Sequence, residues 1–261
     1  MRDHIEITKS GPVWYVTINR PEVKNAHDLQ TFKELVAAFD EVEADPECRC
    51  AVLTGAGDFF SAGQDLHFTA AADPMAIDAY GRWNVAARQR IQRNFKPVVA
   101  AVNGPAIGGG VYLATACDLV VAVDTAFFQM REILAGNHSG GAFLFTVGRA
   151  RSLELSLLGG KLSAAKALDW GLINRCTPRA QFHDVVTELA MALAELPPLA
   201  VRYTKNATNL LLDMAGFSTH MEAGAPMQRY LGLTPDGREA KRAFNERRKP
   251  VFTGAFPRIA D

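Results

Sequence analysis

Three short apolar runs set the strongest constraint on this chain. They are "CRCAVLTG" (48–55), "PVVAAVNG" (97–104) and "DLVVAV" (118–123). Each is apolar at consecutive positions and too short for a buried helix. Each is separated from the next by a segment of helical periodicity. Short apolar strands joined by helices predict a largely parallel sheet, covered on both faces, in an α/β core.

The rest of the chain fills in around that sheet. "HIEITKSGPVWYVTINRP" alternates on both sides of Ser10-Gly11-Pro12 and predicts a hairpin. Leu29, Phe32, Leu35, Val36, Phe39 and Val42 repeat at spacings of three and four, predicting a helix that Asp28 caps. "DFFSAGQDL" reads as a short strand and a loop. Residues 77–95 read as a long helix with Arg82, Arg88, Arg90 and Arg93 along its wetter side. From about residue 151 the pattern is helical, with a turn at Gly171, a short strand after it, and a helix stopped by Pro197-Pro198. Ser139 is read as the N-cap of a helix beginning near Gly140.

Composition excludes more than it selects. Lysine plus arginine equals aspartate plus glutamate, 28 of each, so no basic excess favours nucleic acid or a membrane surface. No apolar run reaches the roughly 20 residues of a membrane span. The first ten residues lack the apolar stretch of a signal peptide. Cys48, Cys50, Cys117 and Cys176 complete no zinc pattern and are read as reduced, mostly buried thiols. A cytoplasmic location and the absence of a metal are the corresponding expectations.

"IGGGVYLATACD" (107–118) poses the sharper question, because three glycines open a helical run in which each costs about 1 kcal/mol relative to alanine. One answer is close packing of helix on sheet. The other is chemical. Like "FFSAGQDL", this segment is a strand handing over to a helix through a glycine-bearing turn, where N–H groups lack partners and the helix dipole is positive. Two such N–H groups from different turns can converge on one oxygen, an oxyanion hole worth roughly 3–4 kcal/mol per donor.

"NRPEVKNAHD", "FFSAGQDL", "NGPAIGGGVYLATACDL" and "MREILAG" together resemble, in order and spacing, the crotonase, or enoyl-CoA hydratase/isomerase, superfamily. "REAKRAFNERRKPVFTG" resembles its C-terminal helix and tail. The resemblance implies a crotonase-like spiral of ββα units, with an acyl-CoA site in residues 1–195. Residues 196–261 would form a C-terminal helical region for trimerisation and pocket closure. It implies an acyl-CoA thioester whose carbonyl oxygen, and the enolate derived from it, lies between the N–H groups of Gln64 and Gly109. CoA enters as part of the substrate and no separate cofactor is implied. Lys24, Ala62, Gln64, Asp65 and Leu66 correspond to the stretch around CoA.

The departure from the family pattern is as informative. A typical hydratase carries two glutamates, the first in "GGGCELA". Here that position is Tyr112, in "GGGVYLA", while Glu132 fills the second. Glu132 is expected to act as general acid and base; the bland alternative is a surface glutamate paired with Arg131. Tyr112 is either a proton donor that holds a water or a bulky pocket wall. His138, in a loop that replaces a Pro-Gly-rich one, is either a proton relay or an exposed loop residue. Asp118 resembles a structural aspartate and His67 a rim residue. Phe68, Tyr80 and Trp83 hint at a bulky acyl group. The basic run Lys241, Arg242, Arg247, Arg248 and Lys249 either meets CoA phosphates or is a solvated helix face.

The expected activity is that of an enoyl-CoA hydratase/isomerase-type enzyme with one glutamate. Isomerisation, decarboxylation or thioester hydrolysis on the same oxyanion logic is the alternative. So is a non-catalytic acyl-CoA-binding protein. The resemblance implies a homo-oligomer, a trimer or a dimer of trimers. An RNA-binding relative would need a basic surface stripe, which the charge balance disfavours.

Overall fold

The computed structural model describes residues 2–141, 143–246 and 248–254. Ile5–Ser10 (β1) and Val13–Ile18 (β2) form the expected hairpin, with Ser10 paired to Val13. Gly11 takes the positive φ of 56° that a two-residue hairpin loop needs ahead of a proline, whose φ is held negative. Cys50–Gly55 (β3), Val98–Val102 (β4), Leu119–Val123 (β6) and Arg175–Thr177 (β9) follow in parallel, giving one sheet in the order β1-β2-β3-β4-β6-β9. The three apolar runs are therefore three of its four inner strands, with β2 the fourth.

Their side chains alternate between two cores. Ala51 and Leu53 of β3 point into the larger one, with Phe32, Leu35, Phe39, Ile91 and Leu113. Cys50 and Val52 point into the other, with Val99, Val121, Val186 and Ala190. Burial on both faces is why these strands read as continuous apolar runs. Leu29–Ala44 (α1) covers the first face, with Asp28 as cap: its carboxylate accepts from Thr31 N at 2.8 Å, in a capping box with Thr31. Leu66–Ala71 (α2), Pro74–Gln92 (α3) and Gly109–Ala116 (α4) follow, and α1 packs on α3. Arg179–Ala194 (α7) covers the second face.

A second, three-stranded sheet was not anticipated. Ala106–Ile107 (β5), Phe127–Gln129 (β7) and Lys161–Ser163 (β8) form it in the order β5-β7-β8. Strands of two or three residues are too short to show alternation, and β8 lies in a stretch read as helical. The Ser139 cap is overturned. Leu144–Leu158 (α5) begins five residues later, behind Phe143, with no side-chain cap. Ser139 is buried, and its hydroxyl faces the site described below.

Ala164–Trp170 (α6) ends at Gly171 in the left-handed region, as expected. Pro198–Met214 (α8), Phe217–Leu233 (α9) and Pro235–Asn245 (α10) complete the chain. Pro197 and Pro198 stop α7, and Pro198 opens α8, where a missing N–H costs nothing. No helix among the described residues is long and apolar enough to cross a membrane.

Candidate active site

The site is assembled from three loops held together by buried polar groups. Asn25, fully buried at φ 56°, donates to Ala56 O (2.8 Å) and Phe59 O (2.7 Å) and accepts from Arg20 N. This ties the "NAHD" segment to the start of "FFSAGQDL". The Ser61 hydroxyl donates to Asn25 O, so it accepts from Gly63 N and from His27 Nε2 at 2.7 Å. His27 is fully buried. Burial, and then the Arg20 charge, lowers its pKa to about 3, so the ring is neutral.

Each of the three glycines is bare for a different neighbour. A methyl group on Gly110 would lie 2.6 Å from Ser61 O, so α4 seats directly on that loop. One on Gly109 would lie 3.2 Å from His27 Nδ1, and one on Gly108 3.0 Å from Glu132 Oε1. Gly63, at φ 86°, closes the contact from the other side: a Cβ there would meet Ile107 O at 2.5 Å and Gly109 N at 3.1 Å. The two glycine turns therefore touch backbone to backbone.

That contact leaves two donors next to each other. His27 N donates to Gly63 O and Asp65 N to His27 O, which brackets Gln64 without using its N–H. Among the described residues the Gln64 N–H has no acceptor. Gly109 is the first residue of α4, and its N–H has no partner within the helix. The Gly108 N–H is already bonded to Gln129 O at 2.8 Å.

Glu132 stands opposite, at the entrance to a short 3-10 turn (Ile133–Ala135). It is not paired with Arg131 at the surface. Its Oε2 is sealed from solvent and, like Ser139 Oγ, has no hydrogen-bond partner among the described residues. Burial pushes its pKa up to about 7; nearby backbone N–H groups and the Ser139 hydroxyl oppose the shift only in part.

Tyr112 is buried and stacks on Phe143, with centroids 5.4 Å apart and planes 4° from parallel. The Arg88 guanidinium lies 4.9 Å from its ring centroid on α3. Burial, reinforced by the Glu132 charge, raises the phenol pKa far above its usual value, so it is an uncharged hydroxyl. Tyr112 lines a small cavity of about 60 Å³ with Ser139, His138, Asn84, Arg88 and His220, among others. His138 accepts from Gly140 N at Nδ1 and so donates from Nε2 to Gly224 O at 3.1 Å. Both its nitrogens are engaged in holding loop to α9. This favours a structural role over a relay.

The CoA-side residues gather along one edge. Lys24 is exposed, its ammonium 5.3 Å from the Phe59 ring, and its carbonyl accepts from Ala62 N. Gln64, Leu66 and His67 are exposed beside it. Asp65 is buried, caps α2 through His67 N and Phe68 N, and pairs with Arg20 at 3.1 Å. Asp118 is structural: it accepts from Val98 N and pairs with Lys205 at 2.6 Å.

Two expectations change. Phe68, Tyr80 and Trp83 pack in or against the main core and do not line the cavity. The α3 face that does is Gly81, Asn84, Val85 and Arg88, at spacings of three and four. In the basic run, Arg242 and Arg248 both pair with Glu239, and Arg248 also with Glu246, so they serve the C-terminal fold. Arg247 lies outside the described residues. Sequence reasoning missed His27, Ser61 and His220, and took Arg88 for a solvent-facing residue. Only His27, next to the cap Asp28 in a motif already singled out, carried a local signal.

The structure thus brings together an N–H pair formed by two abutting glycine turns and, opposite it, a carboxylate whose Oε2 is withdrawn from solvent. The profile of the enoyl-CoA hydratase/isomerase family matches residues 8–255, and the chain belongs to that family. Among its relatives, a carnitinyl-CoA dehydratase of Salmonella enteritidis PT4 is 36% identical over 265 residues, covering 97% of this chain and 100% of that protein. The crystal structure of an enoyl-CoA hydratase from Mycobacterium avium subsp. paratuberculosis K-10 matches with TM-score 0.86 at 32% identity, covering 96% and 99% of the two chains. That of a carnitinyl-CoA hydratase from Mycobacterium avium matches with TM-score 0.86 at 32% identity, covering 98% and 100%. The protein is a crotonase-family enzyme with that family's mixed α/β fold.

Proposed function

We propose that this enzyme eliminates water from, and adds it to, an acyl-CoA thioester through an enolate, with Glu132 as its single carboxylate acid–base. The observation that carries the reading is the Glu132 carboxyl: its Oε2 is closed off from solvent, its pKa is raised to about 7, and it faces the glycine turn at the head of α4. A group so poised exists in both protonation states at neutral pH, as a proton shuttle requires.

In the dehydration direction the thioester oxygen accepts from the N–H groups of Gln64 and Gly109. Glu132 takes the α-proton, and the resulting charge resides on that oxygen. The electron pair returns to form the Cα–Cβ double bond as the β-hydroxyl leaves. Glu132 passes its proton to the leaving oxygen, which departs as water. The uncharged Tyr112 hydroxyl donates a hydrogen bond to that oxygen. Protons balance within the cycle, so CoA enters only as part of the substrate. Names of relatives as dehydratase and hydratase support this reaction type.

Lys24, Ala62, Asp65 and Leu66 form the CoA edge, with Asp65 holding the loop and Lys24 supplying an exposed cation. Residues 1–195 carry this chemistry and residues 196–261 close the pocket and join subunits. His220, Met221 and Gly224 of α9 already line the cavity. A double-bond shift is the second reading, favoured by Tyr112 in place of the first glutamate: Glu132 would return its proton to the γ-carbon.

Incubation with 2-enoyl-, 3-enoyl- and 3-hydroxyacyl-CoA in heavy water, followed by mass spectrometry, tests both. Gain or loss of one water supports the hydratase reading, and exchange with double-bond migration supports the isomerase. Either activity should vanish in Glu132→Gln. Binding without exchange or turnover for any thioester would sink both and leave a binding protein.

A further inference from the structure

Arg82, Arg88 and Arg90 lie on α3 and Arg93 caps its C-terminus; all but Arg88 have carboxylate partners. Arg82 pairs with Asp78 at 2.9 Å, Arg90 with Asp40 and Glu43, and Arg93 with Asp213 at 2.8 Å. Arg88 has no carboxylate partner and no hydrogen bond among the described residues; its one contact of note is the Tyr112 ring. Arg88 is half-buried, and desolvation lowers its pKa. An uncompensated guanidinium in such a place is costly unless something anionic meets it.

The surroundings do not supply that anion. Arg88 lines the cavity with Asn84, one helical turn earlier, whose amide also has no hydrogen bond among the described residues. The other polar groups there are Tyr112, His138, Ser139 and His220. Tyr112 is an uncharged phenol. His138 uses both ring nitrogens on backbone groups, and His220 Nε2 accepts from Gly141 N at 2.8 Å. Neither histidine can neutralise Arg88. Glu132 does not line the cavity itself but lies beside Tyr112 and Ser139, which do.

We propose that this cavity receives a free carboxylate on the acyl group, held by the Arg88 guanidinium and the Asn84 amide. The preferred substrate is then a short acyl-CoA bearing a second carboxyl. The inference rests on the preceding reading only in placing the acyl end at Tyr112. The fork of guanidinium donors matches a carboxylate geometrically as well as electrostatically. A cavity of about 60 Å³ takes a group of a few heavy atoms and no long chain. The same charge repels a quaternary ammonium, so a cationic acyl group is the one this pocket excludes.

Calorimetric binding of saturated thioesters tests this apart from turnover. The probes are succinyl- and glutaryl-CoA, butyryl- and valeryl-CoA, and 4-(trimethylammonio)butyryl-CoA. Wild type should bind the carboxylated thioesters roughly tenfold or more tightly than the neutral ones, and the cationic one weakest. Arg88→Gln should erase the preference, lowering succinyl- and glutaryl-CoA affinity at least tenfold more than butyryl-CoA affinity, and an unchanged circular dichroism spectrum and Tm report an intact fold. Arg88→Lys should keep part of it. Equal affinity for charged and neutral thioesters in wild type overturns the inference, as does a uniform loss across all probes in both variants. Preference without exchange in heavy water would uphold the pocket and sink the reaction; exchange without preference would do the reverse.

Discussion

Gly108 and Glu132 face each other so closely that a methyl group on the glycine would lie 3.0 Å from the carboxylate Oε1. Gly108 also holds φ at 51° and ψ at −115°, a conformation that strains any residue with a Cβ by about 1–3 kcal/mol. Gly108→Ala should therefore displace the carboxylate or the head of α4. We expect roughly a hundredfold loss in α-proton exchange, with a lower Tm. Exchange at the wild-type rate would show that the contact does not set the reacting geometry.

Glu132 stores a stability cost. Its folded pKa of about 7 lies above the ordinary 4.5, so between those values the native state holds a proton that the unfolded chain has released. Stability therefore falls as pH rises from 4.5 to 7, by at most ~3 kcal/mol. Glu132→Gln should be more stable than wild type at pH 8 and no more stable at about pH 4.5. Urea denaturation at the two pH values measures it.

His27 acts in the opposite direction. Its pKa falls from 6.5 to about 3, so below pH 6.5 the unfolded chain binds a proton that the native state refuses. Stability should drop with acid over that window by up to ~1.4 kcal/mol per pH unit. His27→Gln should flatten the slope. An unchanged slope in the variant would place the acid sensitivity elsewhere.

Tyr112 separates the two halves of the proposed reaction. Tyr112→Phe keeps the stack on Phe143 and the contact with Arg88 and removes only the hydroxyl. Dehydration should slow by roughly a hundredfold, the scale of a lost hydrogen-bond donor to developing charge, while α-proton exchange through Glu132 persists. If both rates survive, Tyr112 is a wall.

No residue of α8 is buried in the single chain, although Leu210, Leu211 and Met214 are 60–76% exposed on it. With Leu199 and Tyr203 these make an apolar face that the proposed trimer would cover. Leu211→Asp should lower the mass seen by light scattering. A monomeric wild type would remove the proposal.

Local patterns carried the main sheet, the Asp28 cap, the Gly11 turn and the glycine motifs. Each depends on interactions within a few residues, where periodicity and backbone preference are legible. The family resemblance added Gln64, Gly109 and Glu132. The second sheet escaped because strands of two and three residues have no period. Ser139 was misassigned because a serine before a helix looks like a cap whether or not the helix begins there.

The character of the charged groups was decided only in three dimensions. Nothing in "MREILAG" distinguishes a buried carboxyl from a surface one; Glu132 Oε2 is closed off from solvent where Gly108, at the head of α4, and Ser139 lie beside the carboxyl. Nothing along 74–93 distinguishes Arg88 from Arg82, Arg90 and Arg93. Their partners come from α1, α8 and α3 itself, and the turn that carries Arg88 looks at a cavity instead. The chain determined by itself which segments become strands, helices and tight turns, because those follow from nearest-neighbour sterics and hydrophobic period. Which ionisable groups lose their solvent and their partners is set by contacts distant in sequence, and the proposed chemistry of this site resides in those groups.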